Sequence, residues 1–310
     1  MNEKIKSNNT NRIKAFLVIL VMLTVIFNSK ALSAAIISGA GLALMTVIPS
    51  LFPMFIISDF FCSLPLTNQI NSEKSLRIFE RLFGISNSAI GAFICGNLCG
   101  FPIGASCSSE MLSCGIIDRD ECERLVGLCS CPSAAFVISG VGIGICKSVR
   151  DGICLYVCAV LSAILCGIFH RSKGDISTKS AVNTRQKFVF SNSIKTAATR
   201  CINVCAHISF FSALLSITDL MLKNPIAKAL SAIPIEVSNA AKRLSEITSI
   251  SLHIRFALIG AAIGFSGICV LMQVRSVLPS SISMKRYTVM KIEQGMICAM
   301  LSLLCSIIFR

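Results

Sequence analysis

One stretch constrains this chain more than any other. Residues 82–109 carry no charge, and ten of them read Gly96-Asn-Leu-Cys-Gly-Phe-Pro-Ile-Gly-Ala105. About 20 apolar residues suffice to cross a bilayer. Glycines and a proline in the middle break such a helix, because proline lacks the backbone donor and its ring meets the preceding turn. At membrane depth, irregular backbone survives only where protein or a water-filled cavity surrounds it. The segment therefore predicts a broken or re-entrant helix lining a site.

The rest of the sequence agrees with a membrane setting. The chain is 54% hydrophobic and 14% charged, with a mean hydropathy of +0.77. A soluble domain averages roughly 25% charged. No alternating pattern of a membrane β-barrel is present. The expected fold class is an all-α polytopic membrane protein. The net charge of +14 lies in loops without aromatic interleaving, so it points to anionic lipid and cytoplasm rather than to nucleic acid. Seventeen cysteines fall mostly within apolar runs and never as Cys-x-x-Cys. There they act as small hydrophobes, and no metal site or cofactor is expected.

Uncharged runs mark about eight membrane segments: residues 15–29, 31–58, 82–109, 125–146, 152–169, 201–218, 256–274 and 295–309. The basic N-terminus before residue 15 reads as the inner end of an uncleaved first span. Pro49-Ser-Leu-Phe-Pro53 predicts a helix, a break and a second helix ending near Asp59. Residues 171–195 form the longest hydrophilic loop and are strongly basic, which places them on the cytoplasmic side. Residues 224–251 mix charges with apolar residues at helical spacing, as a surface helix or one packed on its neighbours would. The organisation that follows is 1–30, a basic segment and first span; 31–169, a first repeat; 170–195, the basic loop; and 196–310, a second repeat.

The repeat rests on the breaks. Gly264-Phe-Ser-Gly267 interrupts 256–274 as Gly100-Phe-Pro-Ile-Gly104 interrupts 82–109. A charge follows each, Glu110 and Arg275, and then a turn. The next helix opens with Glu121-Cys-Glu-Arg-Leu-Val-Gly127 in one case and Lys291-Ile-Glu-Gln-Gly295 in the other. Interrupted segments in matching positions of two halves point to a transporter's binding site. Close helix packing through small residues is the competing explanation. His207 and Asp59 read as packing partners rather than as a proton relay.

The motifs, taken in order, resemble the sporulation integral membrane proteins of the YlbJ type, within the group that carries nucleoside-recognition, or Gate, domains. The matching residues are Pro49-Ser-Leu-Phe-Pro53, Gly100-Phe-Pro-Ile-Gly-Ala105, Glu123-Arg-Leu125 and Pro132 with Ala135-Phe-Val-Ile-Ser-Gly-Val-Gly142. Later come Ile235-Glu-Val-Ser-Asn239, Gly264-Phe-Ser-Gly267 with Gln273, and Gln294-Gly295. The resemblance implies two Gate-type repeats, a bacterial cell-membrane location, a role in endospore formation and a solute-transport ancestry. It names no substrate. Ser130 and Cys131 stand where the family often has Asn before the proline matched by Pro132.

The leading expectation is passage of a small polar solute through a site built by both breaks. Asn97, Gly100, Pro102 and Gly104 shape one half. Gly264, Ser266, Gly267 and Gln273 shape the other, with Glu236 and Asn239 nearby. The alternative is a non-transporting membrane scaffold of a sporulation complex. An enzyme is not expected, because no catalytic motif is present and histidines number three. The expected partners are membrane lipid and a small polar solute, with no nucleic acid expected and an oligomer left open.

Overall fold

The computed structural model describes residues 19, 22–63, 77–171 and 189–309, and those residues form helices and short connections. Residues 15–18, 20 and 21 of the first apolar run and most of the basic loop 171–195 lie outside the described residues. So does the start of the N-terminal segment.

Helix α1 (Ser29–Leu42) passes through a π-helical turn (Ala43–Val47) into α2 (Ile48–Ser63). The expected break at Pro49–Pro53 is not formed: residues Ser29–Phe60 make one continuous apolar rod. For Pro49 the physical reason is the π turn, while Pro53 is carried inside the α-helix. A proline ring clashes with the carbonyl four residues back, which for Pro49 is that of Met45, and Met45 sits in the widened turn.

Short α3 (Arg77–Phe83) leads to α4 (Ile90–Cys99), whose partner across the break is α5 (Ile103–Ser113). Helix α6 (Arg119–Cys129) starts at Asp118, whose carboxylate accepts the Glu121 N–H at 2.8 Å. The run 125–146, read as one span, is divided. Helix α6 stops at Cys129, Pro132 follows, and a π-helical segment (Phe136–Ile145) begins after Ser133. Ser148 then caps α7 (Val149–Phe169) by accepting from the Asp151 N–H at 3.2 Å, and α7 runs on without interruption.

Helix α8 (Phe190–Met221) is followed by two short amphipathic helices, α9 (Pro225–Ala232) and α10 (Val237–Glu246). The apolar face of α10 buries Val237, Ala240, Ala241 and Leu244, so residues 224–251 pack on their neighbours. Helices α11 (Leu252–Phe265) and α12 (Gly267–Val277) flank the second break, and α13 (Met284–Phe309) ends the described chain.

Among the described residues five helices are long and apolar enough to span a membrane: Ser29–Phe60, Val149–Phe169, Phe190–Met221, Leu252–Val277 and Met284–Phe309. Their outer faces carry fully apolar side chains. Met45 is 86% exposed, Ile37 72% and Ile308 70%. A soluble monomer rarely shows so much contiguous apolar surface, and lipid is the solvent that suits it. The protein is a multi-pass membrane protein.

Inside, small residues set the helix spacing. A Cβ at Gly260 would stand 2.2 Å from the Ser302 hydroxyl, and one at Gly39 would stand 2.4 Å from that of Ser212. Thus α11 lies directly on α13, and α1 on α8.

Candidate functional site

The first break is tightly filled. Gly100 has φ +85°, and a Cβ there would lie 2.5 Å from the Ser133 nitrogen. On either side, Gly96 and Gly104 would place a Cβ 2.2 and 2.3 Å from the carbonyl oxygen of Cys129. The α4–α5 pair therefore grips the last residue of α6 between two glycines. Pro102 caps α5 and is buried. Asn97 donates to Phe93 O at 2.9 Å and, at the long limit, to Leu128 O at 3.5 Å. Its own backbone carbonyl accepts from the Tyr156 hydroxyl at 3.0 Å.

The second break is filled by a different part of the chain. Ser266 has φ +70° and Gly267 φ +82°. A Cβ at Gly267 would meet the Ile235 carbonyl at 2.8 Å, which only glycine avoids. The first free N–H groups of α12 are taken by that same loop: Ile268 N bonds Pro234 O at 2.8 Å and Cys269 N bonds Ile235 O at 3.0 Å. Glu236, buried, caps α10 by accepting from Ser238 N at 2.9 Å and Asn239 N at 2.7 Å. The Asn239 amide also bridges Glu236 and the Ser212 hydroxyl. Gly264 would set a Cβ 2.5 Å from Gln294 O, and Gln273 donates to the Cys269 sulfur at 3.5 Å.

Among the buried polar atoms without a hydrogen-bond partner are two amide oxygens of the predicted site, Asn97 Oδ1 at the first break and Gln273 Oε1 in the helix after the second; Asn87 Oδ1, ahead of the first break, is a third. Such groups are few in native structures.

The two halves are joined through α6 and α13. Where α6 ends, its last carbonyls lose their helical partners. Gln294 Nε2 takes Gly127 O at 2.9 Å, and Lys291 Nζ takes Ser130 O at 3.1 Å and Gln294 Oε1 at 2.8 Å. The glycines of the first break hold Cys129, beside these carbonyls. Gly264 of the second break holds Gln294, beside Lys291. The breaks therefore meet at second hand, through one lysine and one glutamine.

Lys291 is wholly buried and forms no ion pair with any described residue. A charge inside a membrane segment marks a functional position by default. Sequence reasoning placed this residue at a helix start, outside its last uncharged run; the structure puts it a third of the way into a 26-residue helix. The signal was present as a lone lysine followed two residues later by Glu293.

The other ionisable residues singled out from the sequence lie away from this junction. Asp59 is paired with Arg200 at 2.8 Å and accepts from Ser193 at 2.9 Å. His207 bonds the Asn203 carbonyl of its own helix at 2.7 Å. Glu110 is exposed, and Arg275 donates to the Pro279 and Ile282 carbonyls. The starts of α6 and α13 are stitched together: Asp120 pairs with Arg124 and with Arg286, and Glu123 accepts Ser283 N at 3.0 Å. Burial alone would raise the Asp120 carboxyl, but Arg286 and Arg124 outweigh it and hold it below its ordinary value. A groove of about 360 Å³ lies between the two π-helical stretches, lined by Thr46, Pro49, Ser50, Pro53, Ser139 and Gly140.

Comparison with known proteins gives one kind of match. The chain is similar to the sporulation integral membrane protein YlbJ of Bacillus subtilis, with 27% identity over 168 residues. Those residues make up 54% of this chain and 40% of the relative, so the match spans about two fifths of that protein's length. The resemblance read from the motifs is to this same type of protein. No family model and no solved structure matches the chain.

Proposed function

We propose that this chain is an integral membrane protein of endospore formation, built from two Gate-type repeats, in which a small polar solute passes the junction of the two broken helices. The observation that carries this reading is Lys291. It is a wholly buried lysine at the contact between the halves, with no ion-pair partner among the described residues, and burying such a polar group costs the fold free energy that a plain packing residue would not. The unpartnered amide oxygens of two predicted site residues, Asn97 Oδ1 and Gln273 Oε1, support it, as does the groove lined by two of the family-like motifs. The same fold carries no enzyme assignment here: the reading is of a non-catalytic protein.

The test is solute flux in proteoliposomes, with nucleosides and other small polar solutes as probes. Lys291→Met is the informative variant, since methionine fills similar volume without the charge. Wild-type flux that is lost in Lys291→Met, with the fold intact, supports the reading. Unchanged flux in the variant removes Lys291 and the junction from consideration.

A second reading, a non-transporting scaffold, is favoured by a specific observation. Both breaks are packed with the protein's own backbone, and the N–H groups of α12 already have acceptors. It predicts no flux for any probe, and spore heat resistance that survives Lys291→Met but fails when the basic loop 171–195 is replaced.

A further inference from the structure

Helix α7 ends with Cys166 and His170 four residues apart, hence one turn apart on one face. Helix α13 packs beside it and brings up Glu293. His170 Nε2 lies 2.7 Å from Glu293 Oε2, and the Cys166 sulfur lies 3.3 Å from the same oxygen. The three ligand-type atoms all fall within 4.8 Å of one another. We propose that Cys166, His170 and Glu293 form a binding site for one divalent transition-metal ion of the zinc class.

The donor set fits that chemistry. A thiolate, an imidazole and a carboxylate are the sulfur, nitrogen and oxygen ligands that such ions take, and three protein ligands with an open fourth position are the usual form of a non-structural site. Tetrahedral binding at about 2.0–2.3 Å sets the ligand atoms about 3.3–3.8 Å apart. The Cys166–Glu293 spacing is already there, and the His170–Glu293 spacing needs to open by under about 1 Å.

Exposure supplies the open position. Cys166 is buried, while the side chains of His170 and Glu293 are 23% and 34% accessible. An ion would therefore sit at a partly open rim with its fourth position turned outward. Binding displaces the thiol proton, and the dipositive ion with thiolate and carboxylate makes a neutral set. Spacing along the chain could not reveal the site, because Glu293 lies 123 residues after His170. The sequence alone gives no expectation of a metal, because its cysteines fall mostly in apolar runs and never as Cys-x-x-Cys.

The inference is independent of the solute reading, since a protein that moves nothing can still hold an ion. The experiment titrates metal-free, detergent-purified full-length protein with Co²⁺ as a spectroscopic probe and with Zn²⁺. The expected result is about one ion per chain, with thiolate-to-cobalt absorption and a Zn²⁺-dependent rise in the thermal midpoint. Cys166→Ser should lose the charge-transfer absorption, and Glu293→Gln should weaken retention by about tenfold or more. His170→Cys should keep the ion and strengthen the thiolate band, which a purely structural role would not do. It also carries the test if Cys166→Ser fails to fold. No retained ion, or retention and absorption unchanged across these variants, overturns the proposal in favour of a hydrogen-bonded trio.

Discussion

The two broken helices look alike in sequence and are finished differently in three dimensions. The first, at Gly100–Pro102, is closed by the end of α6: Cys129 is held between Gly96 and Gly104, and Ser133 lies on Gly100. That partner helix is itself broken by Pro132, so its last carbonyls need outside donors. The second, at Ser266–Gly267, is closed by the Pro234–Glu236 loop, whose carbonyls satisfy α12 directly. Its partner α13 runs on unbroken for 26 residues. Surplus acceptors stand on one side and an intact helix on the other. The difference explains where the buried charge sits: Lys291 projects from the unbroken helix onto the broken one's carbonyls. A repeat in pattern need not be a repeat in polarity.

The largest expected effects come from the glycines that let each break close. Gly104→Ala would set a methyl 2.3 Å from the Cys129 oxygen, and Gly264→Ala one 2.5 Å from the Gln294 oxygen. Both contacts are to backbone, which cannot swing aside. Each should cost about 3 kcal/mol, read as thermal or denaturant unfolding in detergent micelles. Equal losses would make the two breaks equivalent as packing devices. A loss at Gly104 alone would show that the first break carries the fold. Neither variant separates transport from folding, which is why the flux test uses Lys291 instead.

A smaller and unequal pair of effects concerns the caps beside the breaks. Glu236 satisfies two backbone N–H groups of α10 from a buried position, whereas Ser133 satisfies one, Phe136 N at 3.0 Å. Charged acceptors give the stronger hydrogen bonds. Glu236→Ala should therefore cost about 2 kcal/mol and Ser133→Ala about 1 kcal/mol, by the same unfolding measurement. Equal costs would mean that the second break does not lean on its carboxylate, and the contrast drawn above would fail.

The sequence disclosed the breaks because glycine and proline in an apolar run have a direct steric consequence. It also disclosed the amphipathic segment and the membrane class. It misled at Pro49–Pro53, where a π turn absorbs the proline, since nothing in composition marks a π turn. It misled at 125–146, where uncharged length suggested one span but Pro132 divides it. Of the candidate site, Asn97, Gly100, Gly104, Gly264, Gly267 and Gln273 do lie at the breaks. Lys291 escaped notice because spans were delimited by their charges, so a charge within a span was read as its edge. The meeting of Cys166 and His170 with Glu293 depends on helix packing and is invisible to local spacing.

The smallest expected effect is also the sharpest test of the contrast between the halves. Lys291→Met removes a buried amine and, with it, the donor to both Ser130 O and Gln294 Oε1. Leaving a buried acceptor unpaired costs about 1–3 kcal/mol each. Removing an unpaired buried ammonium returns a desolvation cost of several kcal/mol in the opposite direction. The volumes are close, so packing adds little. The two terms oppose, and stability should change by under about 1 kcal/mol, or rise, when unfolding is followed as for the glycine variants. A large loss would show that Lys291 is chiefly the cap of a broken helix, and its burial would then be explained by structure alone. A neutral or stabilising result, beside a lost function, would mean that the fold carries this charge against its own stability.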